Sequence, residues 1–197
     1  MKVPKPGFVK TRLAKDIGNE RACTIYKQLV EKTLQTIVQT GIDFEIHYTP
    51  ENELNLLQTW LSTDVNYFPQ NDGDLGEKMN YSMETLFQKG YHKVILVGAD
   101  IPGLTEKIFF NGFANIRNNP VIGPSQDGGY YLIGSDRNTY HPSYFSSIQW
   151  STPFVLEQTV SQMEKKGMTP YFLPVLNDID TIDDIVDIEK GYCSAHS

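Results

Sequence analysis

The segment that most restricts the fold is Lys93-Val94-Ile95-Leu96-Val97-Gly98. Successive residues of a strand point to opposite faces, so four consecutive apolar side chains leave neither face for water. Such a strand has to be covered above and below, and it reads as a central strand of a parallel sheet with helices on both sides.

The flanking sequence supplies those helices and further strands. Ala22, Ile25, Tyr26, Leu29, Val30, Leu34, Ile37 and Val38 recur at helical spacing over residues 19–39, and Gly41 ends that helix. Ile42, Phe44, Ile46 and Tyr48 alternate as in a strand over 42–48. A short helix over 53–61 and a short strand over 65–68 follow. Residues 74–88 read as a helix with Leu75, Met79, Met83, Leu86 and Phe87 inward and Gly90 as stop. Beyond the central strand, Thr105 fits the cap of a helix reaching about residue 117, and 120–123 and 130–133 read as strands around a polar loop. Thr152-Pro153 fits an N-cap with proline at the first helical position of a helix to about 166. A last strand is expected over 171–175, and Thr181 with Asp184 fits a capping box for a final helix. Strands alternating with helices predict one α/β domain over 1–193 with a mostly parallel sheet, a short tail over 194–197, and a ligand site outside the strand C-termini.

Composition narrows the function. With 17 Lys+Arg against 24 Asp+Glu the net charge is −7, and the summed field repels nucleic acid and anionic membranes. No apolar run reaches the ~18 residues of a membrane span. The start, Met1-Lys2-Val3-Pro4, has no apolar signal region, so a cytoplasmic protein is expected. Cys23 and Cys193 fit neither a disulfide framework nor a zinc spacing, and His47, His92, His141 and His196 form no motif.

Five segments can carry chemistry. Lys2-x-Pro4-x-Pro6-Gly7-x-x-Lys10-Thr11-Arg12 gathers cations with stiffening prolines and a permissive glycine, which suits phosphate oxygens. It is no Walker A loop, because Val9 precedes Lys10-Thr11. Asp100 falls just past the central strand, where a carboxylate can hold a hard cation. Its plainer role as a helix cap is weakened because Thr105 already fits that position. Asp178 and Asp180, two apart, face one side of an extended segment, either as a metal pair or as a solvated acidic turn. Asp127-Gly128-Gly129-Tyr130 suits either a hairpin turn or a loop lying against a substrate. Residues 70–79, with Gly76 and Lys78, form a turn into a helix N-terminus, open to an anion or merely a surface turn.

Together these segments resemble the bacterial DUF2064 family of glycosyltransferase-A-like nucleotide-diphospho-sugar transferases, some linked to arsenosugar biosynthesis. The matching stretches are KxPxPGxVKTRL at 2–13, QxxxDLGEKM at 70–79, VGADIPGL at 97–104, GPxxDGGYYLIG at 123–134, WST at 150–152 and DIDTxDD at 178–184. A more distant similarity is to the guanylyltransferases of coenzyme F420 synthesis. The resemblance implies a three-layer α/β/α, Rossmann-like fold of the nucleotide-diphospho-sugar transferase type. It also implies a nucleotide held by Lys2, Gly7, Lys10, Thr11, Arg12, Gly76 and Lys78. Mg²⁺ or Mn²⁺ would be held by Asp100, Asp178 and Asp180. Gly128, Gly129, Tyr130, Trp150, Ser151 and Thr152 would shape the acceptor pocket, and Asp127 would serve as base for the acceptor hydroxyl. In this family an apolar strand precedes the KxPxPG loop, whereas here Met1 adjoins Lys2, so the sheet is expected to lack its first strand.

The activity so implied is metal-dependent glycosyl transfer from a nucleotide-diphospho-sugar to a small acceptor. The alternative is transfer of a nucleotidyl group from a nucleoside triphosphate to a phosphorylated acceptor, and a third reading is a catalytically silent nucleotide-binding domain. Self-association into a homo-oligomer is left open.

Overall fold

The computed structural model describes residues 1–61, 65–179 and 184. In chain order the elements are α1 (Ala14–Ile17), α2 (Asn19–Thr40), β1 (Glu45–Tyr48), α3 (Leu54–Leu61), β2 (Asn66–Pro69) and α4 (Leu75–Gln88). They continue with β3 (Lys93–Val97), α5 (Glu106–Asn115), β4 (Val121–Pro124), β5 (Tyr130–Asp136), α6 (Val155–Glu164) and β6 (Tyr171–Phe172). The helix expected from Thr181 and the partner carboxylate Asp180 lie outside the described residues.

Each long helix is bounded by its own chemistry. α2 ends where Gly41 turns left-handed at φ 67° and returns its N–H to the Val38 carbonyl. α4 opens on a reciprocal cap: Asp74 accepts from the Glu77 N–H, and the Glu77 carboxylate accepts from the Asp74 N–H. α6 starts later than the sequence suggests. Thr152 Oγ1 donates to the Gln149 carbonyl and accepts from the Phe154 N–H, so it closes a turn, and Phe154 rather than Thr152 takes the cap position.

The strands form two sheets. β1 and β2 pair in parallel; the other sheet has the order β3-β5-β4-β6. The expectation of a mostly parallel sheet needs correcting here. β4 and β6 are parallel, but β5 runs antiparallel to both β3 and β4, because the Asp127–Gly129 turn folds the chain straight back beside β4. β3 therefore has an antiparallel partner on one edge, and its other edge borders a cleft.

Both faces of this second sheet are covered, as the apolar run in β3 demands. Ile95, Val97 and Val121 pack with Ile108, Phe109 and Ile37, on the α2–α5 side. Val94, Leu96, Ile122 and Ile133 pack with Met83, Phe87 and Met163, on the α4–α6 side. The result is a helix–sheet–helix sandwich. A third cluster joins Val3, Ile46, Tyr48 and Leu57, tying the N-terminal segment and α3 to β1. Cys23 is buried on α2, and burial raises the pKa of its thiol. Among the described residues no helix is long and apolar enough to cross a membrane.

Candidate functional site

A cleft of about 1140 Å³ opens between the two sheets, and at the strands' C-terminal ends it collects most of the sequence-predicted residues. Lys2, Lys10, Thr11 and Arg12 line it from the N-terminal loop. Lys78 lines it from α4 and Asp100 from the turn after β3. Asp127, Gly129 and Tyr130 come from the β4–β5 turn, Trp150, Ser151 and Thr152 from the loop before α6, and Asp178 from the chain beyond β6. Gly7 and Gly76 do not face it.

The N-terminal loop is pinned at both ends. Tyr26 Oη accepts from the Lys2 N–H at 3.1 Å and donates to the Lys2 carbonyl at 3.0 Å. Val3 and Thr49 exchange a parallel-sheet pattern of backbone bonds, with the Val3 N–H on the Thr49 carbonyl and the Thr49 N–H on the Met1 carbonyl. Lys5 pairs with Glu53. At Lys10 the backbone enters the left-handed region at φ 45°, which is sparsely populated for a residue with a side chain. That turn sends Lys10 Nζ to within 2.6 Å of Asp100 Oδ2, with the lysine side chain 7% and the aspartate 27% exposed. Two side chains from distant parts of the chain thus meet where an anionic ligand and its counter-cation would sit.

The β4–β5 turn shows why two glycines follow Asp127. Asp127 Oδ1 accepts from the Gly129 N–H at 2.9 Å, closing the turn on itself. Gly128 has φ 86°, and a Cβ there would lie 2.2 Å from the Pro153 carbonyl oxygen. The Gly128 carbonyl also accepts from the Leu156 N–H at the start of α6. The turn and the 150–156 segment are therefore packed backbone to backbone. Trp150 is fixed from another direction, since a Cβ on Gly76 would lie 2.7 Å from its Cζ2. Gly76 thus serves Trp150 rather than the open space of the cleft.

Tyr130 and Tyr131 differ in use. Burial drives the pKa of the Tyr130 hydroxyl up, and its ring packs into the α4–α6 core. Tyr131 Oη donates to the Pro174 carbonyl at 2.9 Å, and burial pushes its pKa up to about 12. Neither is set up to release a proton near neutrality.

His47, which stands in no motif, proves to have partners. Its Nδ1 lies 3.0 Å from Ser82 Oγ, and its Nε2 lies 3.5 Å from Glu45 Oε2. Lys89 grips that same carboxylate at 2.7 and 2.8 Å. Burial lowers the His47 pKa, with the Glu45 charge opposing. The Glu45-x-His47 spacing on one strand was the visible signal; Ser82 and Lys89 come from α4 and its C-terminal cap.

The donor set suits a hard divalent cation in kind: Asp100 and Asp178 are carboxylates lining one cleft, and Lys10 already places a positive charge against Asp100. Among the described residues, no group of three His, Cys, Asp or Glu side chains is close enough to hold a metal. Asp180 lies outside that set.

Comparison with known proteins follows the same lines. The family model "Uncharacterized protein conserved in bacteria (DUF2064)" matches residues 33–152. A Desulfovibrio desulfuricans G20 protein, provisionally assigned as a nucleotide-diphospho-sugar transferase, superposes with a TM-score of 0.88 at 34% identity, covering 92% of this chain and 80% of its own. The 4-diphosphocytidyl-2C-methyl-D-erythritol synthase of Anaerococcus prevotii DSM 20548 gives a TM-score of 0.58 at 15% identity, with coverages of 80% and 85%. The inositol-1-phosphate CTP transferase of T. maritima gives 0.61 at 13%, with 93% and 89%. These last two show a shared fold. No curated protein matches the chain.

Proposed function

The chain belongs to the DUF2064 family, and from that premise we propose that it transfers a glycosyl group from a nucleotide-diphospho-sugar to a small acceptor, using a divalent cation. The observation that carries this reading is the convergence of Lys10 and Arg12 with Asp100 and Asp178 in one cleft at the strand C-termini. Cations there attract a diphosphate, and carboxylates there hold the counter-ion that a diphosphate brings.

Asp100 and Asp178, with Asp180 as a third candidate, would hold Mg²⁺ or Mn²⁺, and the bound ion would offset negative charge on the departing diphosphate. Lys10 carries the charge closest to that point. Substrate phosphate drawing Lys10 away from Asp100 would free the carboxylate for the cation. Arg12 and Lys78 add positive charge along the cleft. Asp127, fixed by the Gly129 N–H, presents a carboxylate that can accept the acceptor hydroxyl proton. Trp150 and the Gly128–Gly129 backbone bound the acceptor side.

The rival chemistry, nucleotidyl transfer from a nucleoside triphosphate, uses the same charges. Incubation with Mn²⁺ and either nucleoside triphosphates or nucleotide-sugars separates them by product. Release of nucleoside diphosphate supports glycosyl transfer. Release of pyrophosphate replaces it with nucleotidyl transfer, and ligand-induced thermal stabilisation with neither product leaves a binding domain.

A further inference from the structure

The cleft extends well below the proposed site, and at about 1140 Å³ it exceeds the usual range for a small-molecule pocket. Its lower part is bounded by two strand edges. Lys93, Val94, Ile95, Leu96, Val97 and Gly98 all line it, as do Glu45, Ile46 and His47. Successive residues of a strand alternate between faces, so consecutive residues reach one cavity only if it runs along the strand's edge. The opposite edge of β3 is taken by β5 and that of β1 by β2. The two edges facing the cleft carry backbone N–H and C=O groups without a strand partner, a template for another strand.

The floor and roof are apolar. Val30, Leu34 and Ile37 of α2 and Leu75, Met79 and Leu86 of α4 line it, each set at helical spacing on a single face. Ile95, Leu96 and Val97 stay only half-buried, although helices cover both faces of their sheet.

The direction and register of an occupant are already marked. Met1–Val3 runs parallel to β1 at its C-terminal end, with the Val3 N–H on the Thr49 carbonyl, the Thr49 N–H on the Met1 carbonyl, and the Met1 amine on the His47 carbonyl. Met1 also packs with Ala99, just past the C-terminal end of β3. Both strands therefore end at Met1 and point the same way. Continuing that ladder backwards from Met1 leads down the cleft between them.

We propose that this cleft is the berth of one more β-strand: an extended apolar segment of about five residues, joined to the nitrogen of Met1 and parallel to both β1 and β3. With it in place the two sheets become one, in the order β2-β1-new strand-β3-β5-β4-β6. The Lys2–Arg12 loop then leaves the C-terminal end of a central strand, beside Asp100.

The test adds five Val and Ile residues before Met1 and compares this chain with the unextended one and with one carrying five Ser and Gly residues. The apolar extension should raise Tm by on the order of 10 °C. It should also slow amide exchange at least about tenfold in both β1 (Glu45–Tyr48) and β3 (Lys93–Val97). The Ser/Gly extension should do neither. Unchanged exchange at β1 and β3 in a folded, apolar-extended chain would overturn the proposal, as would equal protection by the Ser/Gly segment. So would concentration-dependent protection of those amides in the unextended chain together with a dimer by sedimentation, which would make the occupant a second copy. Should the five-residue extension aggregate, exchange measured on a chain extended by three of the same residues gives the same two readings.

Discussion

Lys10 Nζ sits 2.6 Å from Asp100 Oδ2, held there by a left-handed backbone turn at Lys10 itself. The pair makes two substitutions informative in opposite ways. Asp100→Ala removes a cation ligand and leaves Lys10 without its counter-charge, so Mn²⁺-dependent nucleotide binding should vanish in calorimetry. Lys10→Met keeps the carboxylate. Mn²⁺ alone should bind at least as well, while nucleotide affinity falls roughly 10- to 100-fold, the loss expected for a charged hydrogen bond of about 1.5–3 kcal/mol. Equal nucleotide affinity in Asp100→Ala and the parent chain refutes the assignment.

Gly128→Ala should destabilise the protein more than Gly41→Ala. Both glycines have positive φ, but nothing lies within 4 Å of a Cβ at Gly41, whereas Pro153 O would be 2.2 Å from one at Gly128. The left-handed backbone costs an alanine about 1–2 kcal/mol at either site. Displacing the 153 backbone adds about 1–3 kcal/mol at Gly128 alone. At about 2–4 °C per kcal/mol, thermal melts resolve the difference.

Gly76→Ala should act on Trp150 rather than on the helix. Alanine suits an α-helix better than glycine by about 1 kcal/mol, which offsets part of the overlap. The indole must still move, since a Cβ would reach its Cζ2 at 2.7 Å. Among the chain's two tryptophans, Trp60→Phe isolates Trp150. In that background, emission should shift on Gly76→Ala, and kcat/KM should fall by up to about 100-fold with a much smaller change in Tm.

Stability should rise with pH between about 6 and 8. Burial pushes the Met1 amine down to about 6 from 8.0, with Asp100 opposing. In that window the unfolded chain binds more protons than the folded one, so the gain is complete above pH 8 and is lost as pH falls through 6. Two pKa units correspond to on the order of 2–3 kcal/mol. His47, lowered by burial from 6.5, adds in the same direction below about pH 6.5. Urea unfolding at pH 5.5 and 8.5 checks this; equal midpoints would contradict it. In a chain extended before Met1 the amine becomes an amide, and its part of the slope should disappear.

How much of this was legible in the sequence depends on how far apart the partners lie. α2 was readable from its own spacing and from Gly41, and β3 from its unbroken apolar run, because both are local properties. The antiparallel pairing of β3 with β5 was not, since an apolar run says that two faces are covered and nothing about the neighbour's direction. Thr152-Pro153 has the composition of a helix start, yet Thr152 spends its hydroxyl on Gln149 and Phe154, and the helix begins later. Candidate residues came from segment composition, and most of them do line one cleft. Gly76 is the instructive exception: its need for hydrogen in place of a side chain is set by Trp150 and Phe145, far along the chain. The Ser82–His47 contact is likewise invisible until α4 is laid beside β1.

The backbone contact between Gly128 and Pro153 has a practical corollary for anyone wishing to retarget this scaffold. Because the Gly128 turn and the start of α6 interlock, diversity introduced at positions 128 or 153 would be spent largely on misfolded clones. Trp150, Ser151 and Thr152 line the same cleft beside this junction, so a mutagenic library confined to those three positions should retain the highest proportion of well-behaved variants.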